Sequence, residues 1–81
     1  MTITLAILRT LAKSAPYLSP IEPLAMDVRA IATGRPEYTA VKTELRTLES
    51  NGWVVSVPHP ETGLSYRITP AGEAELARRE S

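Results

Sequence analysis

The chain has 81 residues, 43% of them hydrophobic, with nine basic and nine acidic side chains, a formal net charge of zero and no cysteine. A chain this long holds one small core burying about 60% of its unfolded surface, and its apolar fraction argues against disorder. The missing cysteines exclude a disulfide framework or a thiolate metal centre, no apolar run approaches the roughly 18 residues of a membrane span, and neutrality makes any binding of duplex nucleic acid depend on a local basic face.

The first residues, Met1 to Ala6, carry no basic lead and no small-residue cleavage site, so no signal peptide and a cytoplasmic location are expected. Thr2 or Thr4 is placed to cap a first helix reaching about Ser14, with Ile3, Ile7, Leu8 and Leu11 as its stripe. Leu5, Ala6 and Ala12 widen that stripe. The surplus either serves a twofold mate, giving a homodimer, or is used up by a small core. Pro16 pushes Ala15 out of helical geometry and ends the helix. Pro16, Pro20 and Pro23 then make residues 16 to 23 a stiff connector, in which Tyr17 and Leu18 either close the core or mark a partner surface.

A second helix is expected to begin near Pro20 or Pro23. It buries Leu24, Val28 and Ile31, uses Met26 to fill a gap, and is closed by Thr33-Gly34. Pro36 opens the third helix, with Glu37 in the first turn where the helix dipole favours an anion. The turn from Thr33 to Pro36 is short, so helices two and three must cross steeply, as in a helix-turn-helix. Val41, Leu45 and Leu48 point inward at three- and four-residue steps, and Asn51-Gly52 supplies the left-handed geometry that stops a helix.

From Trp53 the apolar period becomes two. Trp53, Val55 and Val57 are expected to share the inner face of a strand, with Trp53 as a core anchor and Tyr66 and Ile68 facing them from the return strand. The loop Pro58-His59-Pro60-Glu61-Thr62-Gly63 joins the two. Thr69-Pro70 reads as an N-cap and a first-turn proline, followed by a last helix from Ala71 to Arg79. The expected fold is α+β and mostly α. It is a single winged helix-turn-helix domain over residues 1–81, with a three-helix core, an antiparallel β-hairpin wing and a short C-terminal helix. That module is used most often to read duplex DNA.

Two runs carry a family resemblance. Leu48-Glu49-Ser50-Asn51-Gly52-Trp53 and, after the hairpin, Tyr66-Arg67-Ile68-Thr69-Pro70-Ala71-Gly72 resemble the winged helix of MarR- and PadR-type bacterial transcription regulators. In that family the recognition helix ends in Leu-Glu-x-x-Gly and an apolar residue, and Tyr/Leu-x-Leu/Ile-Thr-x-x-Gly follows the wing. The resemblance implies duplex DNA as the partner and regulation of transcription as the role.

With Val41, Leu45 and Leu48 inward, the outward face of helix three carries Tyr38, Thr39, Lys42, Thr43 and Arg46. Such residues suit the major groove, since a cation can bridge guanine O6 and N7 and threonine can pack on a thymine methyl. Arg35 at the helix start and Arg67 beside the wing are candidates for phosphate. His59 at the loop tip is a candidate for minor-groove or phosphate contact, though a plain loop residue fits as well. Glu44 and Glu49 read as solvated flanks. A lone imidazole lacks partners for nucleophilic catalysis and for zinc, and there is no phosphate-binding glycine loop, HExxH or nucleophile elbow. No enzyme activity, cofactor or metal is therefore expected. The competing reading is a protein-interaction module docking a partner through helix one, the proline-rich connector or the wing, which neutrality and the acidic Glu61 favour.

Overall fold

The computed structural model describes residues 1–61 and 63–81; Thr62, part of the loop tip read from sequence, lies outside the described residues. The elements are α1 (Ile3–Ser14), β1 (Ser19–Pro20), α2 (Ile21–Ile31), α3 (Tyr38–Ser50), β2 (Val54–His59), β3 (Gly63–Ile68) and α4 (Pro70–Glu80). They make a mostly helical α+β architecture, with an antiparallel sheet ordered β1-β3-β2. Among the described residues no helix is long and apolar enough to cross a membrane.

Thr2 is the cap of α1, its hydroxyl accepting the Leu5 N–H at 3.2 Å. The helix ends at Ala15, before Pro16. α1 runs through the middle of the molecule and packs on α2, α3, α4 and β3. Its Ile7, Leu8 and Leu11 are fully buried against Leu24 and Val28 of α2 and Val41, Leu45 and Leu48 of α3. Leu5 and Ala12 are partly buried and also pack on this cluster.

Three expectations along α2 need correction. The proline-rich connector holds a short strand: Ser19 and Pro20 pair with Tyr66 and Ser65 of β3. The buried face of α2 is Leu24, Ala25 and Val28, while Ile31 is 44% exposed and Met26 69% exposed. The helix stops at Ile31, and Ala32, leaving it in extended geometry, takes the core position instead. Pro36 and Glu37 likewise precede α3 rather than open it. Glu37 is the N-cap residue without a side-chain capping bond, and the first turn carries no acid.

α3 ends as its sequence suggests. Asn51 stays helical and Gly52 turns left-handed at φ +79°. The Trp53 N–H bonds the Leu48 carbonyl and the Gly52 N–H bonds the Glu49 carbonyl, both at 3.0 Å, which satisfies two otherwise open helix carbonyls. Because Trp53 belongs to this stop, the strand starts one residue later and the inner face shifts by one. Val54, 2% exposed, pairs with Ile68, and Ser56 pairs with the buried Tyr66. Val55 and Val57 alternate to the other side, Val55 facing Arg67 and Val57 facing Ser65. Trp53 is half-buried at the edge of the core, with the Arg79 guanidinium 5.5 Å from its ring.

Thr69 locks this corner to α4. Its hydroxyl donates to the Gly52 carbonyl at 2.6 Å and accepts the Gly72 N–H at 3.0 Å, and its own N–H bonds the Trp53 carbonyl at 3.0 Å. One side chain thus caps α4 and ties it to the end of α3. Both outer strands carry a proline, Pro20 on β1 and Pro58 on β2.

Candidate nucleic-acid interface

α3 buries Val41, Leu45 and Leu48, which leaves a broad outward surface. Thr39, Thr43 and Arg46 are exposed on it and Lys42 is half-buried at its side. At 100° per residue, Tyr38, Lys42 and Arg46 form the flank toward α2 and the sheet, whereas Thr39 and Thr43 stand opposite the core. The Lys42 ammonium lies 5.2 Å from the Tyr38 ring centre, a cation–π contact that steadies a long side chain near the start of the helix.

The threonines are partly committed. The Thr43 hydroxyl donates to the Thr39 carbonyl at 3.0 Å and the Thr47 hydroxyl to the Thr43 carbonyl at 3.3 Å. Their protons therefore serve their own helix, and each offers outward a methyl group and an accepting oxygen. Thr47, exposed on the same surface, was not among the residues expected there. Its signal was the four-residue step from Thr39 and Thr43.

The two carboxylates on α3 are not simply solvated. Glu44 accepts a hydrogen bond from the Thr4 hydroxyl of α1. Glu49 accepts from the Ser56 hydroxyl at 2.7 Å and the Ser56 N–H at 3.3 Å. Both acids are held at the margins by neighbouring elements, and the strip bearing Thr39, Lys42, Thr43 and Arg46 lies between them. Tyr66 sits beneath that flank. Burial, reinforced by the nearby Glu49 charge, raises its phenol above the usual range, while Arg46 pulls the other way. It remains a neutral core hydroxyl at ordinary pH.

The other candidates do not join this strip. Arg35 lies in the α2–α3 turn with φ +44°, next to Gly34 at φ +82°. The turn is braced by Arg29, whose Nε donates to the Pro36 carbonyl at 2.9 Å, a role not foreseen from sequence. Arg67 is exposed on β3 and points to the face opposite Tyr66 and Ile68. His59 ends β2, and its Nδ1 accepts the Glu61 N–H at 3.2 Å. Among the described residues no group of three or more His, Cys, Asp or Glu side chains is placed to hold a metal ion.

No protein-family model matches the chain, and no curated protein matches it.

Proposed function

We propose that this chain is a winged helix that binds duplex DNA through α3 and acts as a regulator of transcription. α1, α2 and α3 are the three-helix core, β2 and β3 the wing, and α4 the short helix after it. The observation that carries the reading is the charge arrangement on α3. Lys42 and Arg46 stand with Thr39 and Thr43 on one surface, while Glu44 and Glu49 are engaged at its margins by Thr4 and Ser56. A neutral chain thereby offers a locally basic, hydrogen-bonding helix face of the kind that enters a major groove. Gly52, Thr69 and Gly72, which belong to the two runs resembling MarR- and PadR-type regulators, meet at one corner, and their proximity supports the reading.

In this reading Lys42 and Arg46 contact base edges, Thr43 presents its methyl to thymine, and Arg35 and Arg67 meet phosphate. Tyr38 orients Lys42, and His59 lies beside the backbone or minor groove. Selection from a random duplex library at moderate salt tests it, followed by fluorescence anisotropy on the enriched site. Arg46→Ala or Lys42→Ala weakens that site by roughly 1–3 kcal/mol and relaxes discrimination. Arg67→Ala weakens all duplexes alike and lowers the salt slope by about one unit. Equal affinity of parent and Arg46→Ala for every duplex would remove α3 as the reader. The second reading is a protein-docking winged helix, favoured by the zero net charge and the acidic Glu61 in the hairpin loop. An empty selection with no enriched motif is its signature.

A further inference from the structure

We propose, on the reading of this chain as a duplex binder, that the Tyr66 hydroxyl is a further DNA contact, a neutral donor to a backbone phosphate between α3 and the hairpin. Tyr66 is 3% exposed, so its ring belongs to the core. Its hydroxyl takes part in no hydrogen bond among the described residues. Yet no fully buried side-chain nitrogen or oxygen among them lacks a partner. The tip of this buried ring therefore opens to water.

The sheet and α3 fix where it emerges. Tyr66 stands directly across from Ser56 on β2, and Ser56 gives both its hydroxyl and its N–H to the Glu49 carboxylate of α3. Opposite residues of an antiparallel pair send their side chains to one face, so the Tyr66 ring lies on the face of the hairpin that grips α3. The groups close enough to act on its hydroxyl electrostatically are Glu49, Arg46 and Tyr38, and all three belong to α3. Arg46 and Glu49 act on it with opposite signs and offset one another. The hydroxyl, and not a net positive charge, is thus the attraction on offer. Phosphate oxygens accept from tyrosine hydroxyls, and such bonds set register without reading sequence. With α3 in a major groove and the hairpin beside it, the strand that passes from one to the other lies over this opening. Packing already holds the ring, so ordering this donor costs little of the side-chain entropy that an exposed lysine or arginine gives up. For the fold alone a phenyl ring would serve, since the oxygen bonds nothing within the chain.

Fluorescence anisotropy on the duplex enriched by selection tests the contact. Tyr66→Phe removes one unbonded oxygen. It is expected to keep the parent's unfolding midpoint and to raise Kd by roughly three- to tenfold. The loss is the same on unrelated duplexes, and the salt slope is unchanged, because a neutral donor releases no counterion. A methylphosphonate scan, which replaces one charged phosphate oxygen at a time with a methyl group, finds a position that weakens the parent and leaves Tyr66→Phe unaffected. Should the variant lose its helical circular dichroism, the Cζ carbon resonance of Tyr66 in the parent decides. A hydroxyl bonded to phosphate shifts it when duplex is added, and an unmoved resonance overturns the contact. Equal Kd for parent and folded Tyr66→Phe overturns it as well, as does a scan without such a position. If Arg46→Ala still weakens binding in that case, the contact fails and duplex binding through α3 stands. A parent that binds no duplex removes both.

Discussion

Gly72 of α4 lies so close to the backbone of Trp53 that a Cβ added to it would overlap the Trp53 carbonyl oxygen and come within 2.8 Å of Cγ1 of Ile68. The carbonyl cannot retreat, because it also accepts the Thr69 N–H at 3.0 Å. Alanine favours a helix interior over glycine by about 1 kcal/mol, yet here the clash dominates. Gly72→Ala is expected to destabilise by about 1–3 kcal/mol, measured by thermal or urea unfolding.

Gly52 poses the opposite case. Among the described residues nothing lies within 4 Å of a Cβ built there, so its φ of +79° is what resists substitution. Gly52→Val should cost on the order of 1–2 kcal/mol or more. Gly52→Asn, whose side chain tolerates left-handed geometry, should cost less than half as much in the same urea titration. Equal losses for the two would mean that something other than backbone strain governs this helix stop.

The hairpin register can be read from two adjacent valines. Val54 is buried opposite Ile68 and Val55 lies on the other side opposite Arg67. Val54→Ala is expected to cost about 2 kcal/mol through lost burial and a residual cavity, with Val55→Ala well below it. The reverse order in denaturant midpoints would return Val55 to the inner face.

Acid should loosen α4. The Arg78 hydrogen bond, joined by Arg79, lowers the Glu75 carboxyl from 4.5 to about 2. A pKa depressed by folding contributes stability above the unfolded value, and that contribution fades as pH falls from about 4.5 toward 2. Glu75→Gln should remove this part of the acid limb, so parent and variant melting curves converge at the low end of that window. Curves that stay parallel throughout would mean that the Arg78 and Arg79 pairs have no stabilising effect in solution.

Helical elements were legible in the sequence wherever burial followed the three- and four-residue steps. Ile7, Leu8 and Leu11 on α1, and Val41, Leu45 and Leu48 on α3, lie where their spacing put them. The hairpin face was misread by one residue because Trp53, though apolar and in phase with Val55 and Val57, completes the helix stop. Strand β1 left no local trace, since Ser19 and Pro20 gain strand geometry only from β3, far along the chain. Ile31 and Ala32 exchange roles because the helix ends between them, and a helical period holds only while the helix continues. On α3 the identities of the outward residues were readable. The aim of Glu44 and Glu49 was not, because Thr4 and Ser56 come from other elements.

The outer strands have a consequence for how this chain behaves when crowded. Along β2 the backbone donors that face away from β3 fall at Val54, Ser56 and Pro58, following the alternation of an antiparallel pair. Pro58 has no N–H, and the Ser56 N–H is already taken by Glu49. β1 is two residues long and contains Pro20. A neighbouring chain seeking to add a strand to β2 therefore finds few open backbone donors, which works against growth of the valine-rich hairpin into a continuous cross-β stack.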